Sequence, residues 1–368
     1  MNGTPGEGAT PSASTGAAPT PLPWITADLP GSGGQVKAWP EDFRVDEIPA
    51  YLPSGTGEHL YLLVEKRGRT TRDVVRELAR TLGTHERDAG VAGLKDRQAV
   101  STQWLSFAVP REPDPATLTG EGFRVLQASR HGNKLRTGHS RGNRFSIAVR
   151  GGDTGRARDV AEALAARGFA NFFGAQRFGA AGDNAAVGRA LLRGQLADPA
   201  VRRAARDRFL RRLSISAWQS LLFNRWLADR ISDGLFAAAL AGDVMKKLDS
   251  GGVFTCEDPE ADAARVARFE ISPAGPMFGH RLRPATGEAG VREARLLAAE
   301  GVTPADLERG GGEAEGTRRA ARLPVKVELE PVEGGYRATF DLPRGSYATV
   351  LLGELTKSDA DLGEVSED

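Results

Sequence analysis

The sequence predicts an α+β fold in which a sheet-forming unit is interrupted by a long helix-rich segment. Three observations predict it. Short apolar or alternating runs gather in the first part of the chain, up to about Val149. The same period-two pattern returns after Leu323. Between them, roughly residues 170–322, the strongest signal is helical. Strands separated by such a segment most simply rejoin one sheet, so the sheet unit is read as discontinuous. No internal repeat is visible.

Taken in order, residues 1–23 are Gly, Pro, Ser, Thr and Ala with almost no large apolar group, a composition that reads as a disordered tail. Order is expected from Trp24. Leu60–Lys66 (LYLLVEK) reads as a strand. Val74, Val75, Leu78 and Leu82 then fall at helical spacing, with Thr70 or Thr71 as N-cap and Asp73 in the first turn. Trp104–Val109, stopped by Pro110, and Phe145–Val149 read as strands, and Val160, Ala161 and Leu164 as a helix that Gly168 ends. Ile215–Ile231 is the strongest helix, with Ile215, Trp218, Leu222 and Trp226 on one face. A polar, Gly-rich stretch from Ser232 to Gly316 holds one clear helix start, Thr303-Pro304 with Asp306 behind it. Val325, Val327 and Leu329 then alternate with charges. Ala338–Leu342 and, after a Pro343–Gly345 turn, Tyr347–Leu352 continue the strand reading. The last dozen residues are acidic and are expected to fray.

Composition excludes several classes. The single cysteine, Cys256, rules out a disulfide framework and a multi-thiolate metal site. The five histidines have no ligand-like spacing, so no metal is expected. No apolar run approaches the ~20 residues of a membrane span, and no basic-then-apolar leader opens the chain, so a cytoplasmic protein without membrane contact is expected. Lys and Arg number 49 against 48 Asp and Glu, a net +1 that argues against a chain basic throughout. The charges are segregated, however. Arg130–Arg144 carries Arg130, Lys134, Arg136, Arg141 and Arg144 with no acid, among glycines that suit a loop approaching a ligand. Val201–Arg212 carries six arginines, Arg202, Arg203 and Arg206 among them, against Asp207. Both runs are large enough to track a phosphate backbone. The alternative for either run is a solvated face.

The chemistry centres on Val91–Trp104, VAGLKDRQAVSTQW. Asp96 lies between Lys95 and Arg97 at a loop–strand junction, where cations keep a carboxylate ionised and fit to attack a sugar carbon. A Lys-Asp pair in a turn is more often structural. The surrounding residues make the reading specific: GLKDRQAVSTQW resembles the signature of the TruD family of tRNA pseudouridine synthases. So do Lys37–Glu47 (KAWPEDFRVDE), the run RHGNKLRTGH followed by GNRF, Asn171–Gly179 (NFFGAQRFG) and Leu342–Leu355 (LPRGSYATVLLGEL), all in the family's order.

The resemblance implies a pseudouridine synthase catalytic domain with a mixed, largely antiparallel sheet and flanking helices, built from 24–170 and 323–357. It implies an inserted TruD-specific α/β domain at 171–322 and an acidic tail at 358–368. It makes Asp96 the catalytic nucleophile, with Lys37 as its electrostatic partner. It makes Phe43, Asn143, Phe145 and Tyr347 contacts to the substrate, Phe145 packing against the target base. Tyr347 departs conservatively from a usual Phe, and Gly353 stands where Arg is usual, before the Glu that matches Glu354. The implied reaction isomerises a uridine of tRNA, uridine 13, to pseudouridine on a flipped-out base, with no cofactor and a monomeric enzyme. Whether Asp96 adds to sugar or base, or acts as a base toward a glycal, stays open. Two other classes stand beside this reading. A non-catalytic RNA-binding or remodelling protein would be indifferent to Asp96→Asn. A nucleosidase or glycosidase would need a second acid within reach and no basic runs.

Overall fold

The computed structural model of the chain describes residues 21–36, 38–110, 113–179 and 181–358. Nearly all of the composition-read tail at 1–23, and the acidic end after Ser358, lie outside the described residues.

A two-residue strand at Gln35–Val36 and a 3-10 turn at Pro40–Asp42 lead into strand β1 (Phe43–Pro49), and β2 (His59–Lys66) follows it. Helix α1 (Thr71–Thr81) opens on a capping box in which Thr70 and Asp73 satisfy each other's amides. Strands β3 (Val100–Ala108), β4 (Phe123–His131) and β5 (Ser140–Arg150) come next, then α2 (Thr154–Arg167), which stops where Gly168 takes φ 88°. Helices α3 (Asn184–Leu192), α4 (Pro199–Arg206) and α5 (Arg208–Ser232) are followed by β6 (Val244–Lys247), β7 (Val253–Thr255), α6 (Pro259–Ala267) and β8 (Ile271–Met277). Then come α7 (Gly287–Ala299), α8 (Pro304–Gly310), β9 (Thr317–Ala320), β10 (Val327–Val332), β11 (Gly335–Pro343) and α9 (Ala348–Thr356).

The principal sheet runs β10-β11-β5-β1-β3-β2-β4, so strands from both ends of the chain share it. Its pairs are antiparallel except β1 with β3, which makes it mixed and largely antiparallel. Helices α2 and α9 cover one part, packing Val160, Leu164, Leu351 and Leu355 onto Phe145, Ile147 and Phe340. Helix α1 covers the other, setting Val74 and Leu78 against Leu60, Leu62 and Phe107. The intervening segment has its own core around Trp218, Leu222 and Phe223 of α5. There α3 and α5 meet backbone to backbone, because a Cβ on Gly188 would lie 2.0 Å from the Ser214 carbonyl. A second, antiparallel sheet, β7-β6-β8-β9, packs beside α5. Where the chain leaves and re-enters the first unit, Phe169–Ala170 pairs with Arg322–Leu323.

Three local readings are corrected. Tyr347–Leu352 is not a strand: α9 begins at Ala348. Its short apolar run is mostly buried, and such a run carries too little period to separate helix from strand. Arg130–Arg144 is not one loop either; it is the end of β4, a turn over 132–139 and the start of β5. Finally, the polar stretch from Ser232 hides most of a sheet, because β8 (ISPAGPM) is buried at every position and broken by prolines, so nothing alternates.

The unusual Gly353 also has a local reason. A Cβ there would sit 3.0 Å from the Trp24 ring, which also lies under Lys357. Beside it, Glu354 accepts hydrogen bonds from Ile25 and Thr26 and pins the N-terminal segment onto α9. Gly353→Arg should therefore cost about 1–3 kcal/mol by overpacking, seen as a lower urea midpoint. The same change in a Trp24→Ala background should cost much less. Equal costs in both backgrounds would mean that Trp24 is not what Gly353 accommodates.

Candidate active site

Asp96 sits, half-buried, in the loop between a short strand at Gly90–Val91 and β3. Short hydrogen bonds hang this loop on its neighbours. The first residue of α1 reaches it: Thr71 Oγ1 accepts from the Lys95 amide at 2.9 Å and donates to Gln103 Oε1 at 2.8 Å. Gln103 in turn donates to the Gly93 carbonyl at 3.0 Å. The Asp96 carboxylate accepts from the Gln98 amide at 3.0 Å, an Asx-type turn that orients the side chain.

Two buried lysines fix the loop. Lys66, at the end of β2, is only 2% exposed and donates its ammonium to the Asp96 carbonyl at 2.6 Å. Burial pushes its pKa down to about 8 against the attraction of Asp96. Lys95 turns inward, donating to Asn143 Oδ1 at 2.6 Å and pairing with Glu47 Oε2 at 3.4 Å. Burial pushes the Glu47 carboxyl up and the Lys95 ammonium down, each opposed by the partner's charge. Register explains the meeting: Glu47 of β1 lies opposite Asn143 of β5, and Val45 opposite Phe145. Asn143 and Phe145 thus share a sheet face with the pair that anchors the Asp96 loop.

The aromatic candidates divide. Phe43 and Phe145, 4% and 7% exposed, pack edge to face at 6.3 Å, and Phe145 stacks on Phe340 at 5.4 Å. Little of either ring faces solvent. Tyr347 belongs to the other core, 5.7 Å from Phe173. Lys37 lies outside the described residues.

The basic candidates do not form one patch. Arg130 donates to the carbonyls of Val109 and Pro110, and Lys134 to that of Arg87. Arg144 makes a bidentate pair with Asp341, and Arg202 holds the Leu196 carbonyl. Arg136, Arg141, Arg203 and Arg206 are exposed.

Sequence reasoning passed over Lys66 and Glu47, although both fall inside segments it quoted; a charge ending an apolar strand was the available signal. It also passed over Arg319. That guanidinium lies 4.0 Å over Phe173 and donates to Asn171 Oδ1 at 2.6 Å and the Gly345 carbonyl at 2.8 Å. It joins the NFFG segment to the turn that leads into Tyr347, and desolvation lowers its pKa to about 10. Among the described residues, no three of His, Cys, Asp and Glu converge as a metal-ligand group.

The chain matches known proteins over nearly its whole length. The family model described as tRNA pseudouridine synthase D (TruD) matches residues 22–204 and 199–355, and the chain belongs to that family. A protein of Anaeromyxobacter dehalogenans named tRNA pseudouridine synthase D is 74% identical over 345 residues, covering 94% of this chain and 99% of its own. One of the same name from Thermus thermophilus is 43% identical over 352 residues, covering 93% and 94%. A crystal structure of a Methanosarcina mazei protein assigned to TruD superposes with a TM-score of 0.72 at 24% identity, covering 92% and 96%, and shares the fold. The chain is accordingly an isomerase, a tRNA pseudouridine synthase of TruD type.

Lys66 gives a pH test. Its ammonium titrates near 8 in the folded protein and near its ordinary 10.5 when unfolded. Between those values the unfolded chain holds more protons, so stability rises with pH; below 8 the burial cost is fully present. Denaturant unfolding of the wild type, referenced to Lys66→Met, should therefore gain stability from pH 8 to 10.5 and stay level below about 7. A flat difference across that range would mean that Lys66 is not held as described.

Proposed function

We propose that the chain converts a uridine of tRNA, uridine 13, to pseudouridine, with Asp96 as nucleophile on a base flipped out of the RNA stack. The observation that carries the reading is the clamp: Lys66 on the Asp96 carbonyl and Lys95 on Asn143, both at 2.6 Å, tie the carboxylate loop to the strand of Asn143 and Phe145.

The chemistry asks for such a clamp. The N1–C1′ bond breaks and a C5–C1′ bond forms, while C5 loses a proton and N1 gains one. Nothing is oxidised or reduced. The detached uracil must turn in place without leaving, so the reacting groups need fixed positions. Extruding the base costs roughly a few kcal/mol, offset by aromatic contact worth about 1–3 kcal/mol per base. The edge of Phe145 would bear on the base, with Phe43 and Phe340 fixing its orientation. The Asn143 amide nitrogen would donate to a uracil carbonyl, since its oxygen is taken by Lys95. Phe43 and Tyr347 complete the substrate contacts in this reading, and Lys37 supplies a further cation for Asp96. Arg130, Lys134, Arg136, Arg141, Arg144, Arg202, Arg203 and Arg206 are the candidates for backbone phosphates.

The pairing of 169–170 with 322–323 supports dividing the chain into a catalytic domain at 24–170 and 323–357 and an inserted domain at 171–322. A cytoplasmic, monomeric enzyme completes the proposal. Among the described residues no helix is long and apolar enough to cross a membrane.

Purified protein should convert uridine 13 of an unmodified tRNA transcript to pseudouridine without added cofactor. Asp96→Ala should bind the transcript as the wild type does and lose turnover by about 10³-fold or more. Normal turnover by Asp96→Ala would sink the assignment. Mapping pseudouridine in RNA from a strain lacking the gene should show the loss at position 13 of tRNA; its retention there would move the target elsewhere.

A further inference from the structure

We propose that the concave surface at the α4–α5 junction is a nucleotide subsite remote from the chemistry, where an unpaired base of the RNA stacks on Phe209 and Arg203, Arg206 and Arg208 hold its flanking phosphates. The inference rests on the RNA-acting reading above and adds a second place of contact to it.

The local sequence builds this surface. In α4, Val201 and Ala204 turn inward to the core around Trp218, which sends Arg202, Arg203 and Arg206 outward. Asp207 then leaves helical geometry, with φ −108° and ψ 113°, ending α4 and capping α5. The two helices meet across this break, and Arg202, Arg203, Arg206, Asp207, Arg208 and Phe209 line a shallow concavity there that is open to solvent.

The charges there are not balanced internally. Asp207 is the one acid in the lining, and its Oδ1 already accepts from the Phe209 and Leu210 amides at 2.8 and 3.1 Å. Those amides are therefore satisfied, and the attraction for an anion comes from side chains. Arg202 is engaged with the Leu196 carbonyl. Arg203, Arg206 and Arg208 are exposed, and among the described residues none of the three makes an ion pair. Three guanidiniums beside a single, already engaged carboxylate repel one another, and neutralising them with phosphates relieves that repulsion.

Phe209 decides the class of ligand. Its ring is 58% exposed although α5 has a core to bury it in. A large aromatic among exposed guanidiniums is poor material for a solvated face and good material for a base platform, since every base has a π-face. An acidic protein would satisfy the arginines and leave the ring without a partner.

The two kinds of contact have separable signatures. Binding of an unmodified tRNA transcript is measured across a salt series for wild type, Phe209→Ala, Phe209→Leu, Phe209→Trp and the double change Arg203→Gln, Arg206→Gln. Phe209→Ala and Phe209→Leu should weaken binding roughly 5- to 150-fold with an unchanged salt slope. Phe209→Trp should bind at least as tightly as the wild type. The double arginine change should reduce the salt slope by about 1–2. Polyglutamate of matched charge should bind wild type and Phe209→Ala alike. Thermal midpoints should not move, since all these side chains face water. Wild-type affinity in Phe209→Ala, or tight binding by Phe209→Leu, overturns the stacking subsite while leaving the functional reading intact. A wild type that binds no tRNA at all overturns both.

Discussion

Strand β5 holds the molecule together. On one edge it pairs with β1 from the start of the described chain, and on the other with β11 from its end, through nine matched positions from Gly335–Arg150 to Pro343–Gly142. Its inward residues, Phe145, Ile147 and Val149, form the floor on which α2 and α9 pack. Asp42 of the PED turn, almost wholly buried, makes a bidentate pair with Arg150 and fixes where β1 begins. A one-residue slip of either ladder would invert the faces, sending Phe145 to solvent and separating Asn143 from Glu47.

The same register explains why the region around Asp96 tolerates costly groups. Lys66, Lys95 and Glu47 are all removed from water, and Glu47 Oε2 has no hydrogen-bond partner, only the Lys95 ion pair. Buried charges of this kind rarely add net stability. What they add is position: Lys95 can satisfy Asn143 and Glu47 together in one loop conformation, and Lys66 meets the carbonyl of Asp96 only when the loop is in place. The second core does the equivalent with Arg319, which binds the Asn171 side chain and the Gly345 carbonyl and so fixes the approach to Tyr347.

Much of this was legible in the residues, for identifiable reasons. Helix α1 announced itself through spacing and its cap, and β2 through an uninterrupted apolar run. The five motifs singled out Asp96, Asn143 and Phe145 as candidates, because their order along the chain is itself informative. Glu47 and Lys66 escaped because their importance is a matter of burial, which depends on β1 lying beside β5 and β2 beside β3. The second sheet escaped because its strands are short and β8 is buried at every position. The basic run at 130–144 was recognised as a composition, but its members face different partners once β4 and β5 separate in the sheet. Helix α9 was misread because its short apolar run carries too little period.

The pairing of β5 with β11 also sets a timetable. A ribosome releases β5 long before β11: the whole of α2 to β10 lies between Arg150 and Gly335. At ~5–20 residues per second that interval lasts roughly 10–40 s. Throughout it the nascent sheet presents a bare hydrogen-bonding edge beside the exposed rings of Phe145 and its neighbours, the arrangement most prone to pair with the wrong chain. Most of the core around α5 comes from the intervening segment and can gather in the meantime, Tyr347 joining it only later, and the two-stranded contact at 169–170 and 322–323 then brings the last hairpin next to the edge that awaits it. The central seam of the sheet therefore cannot close until the C-terminal hairpin has been made.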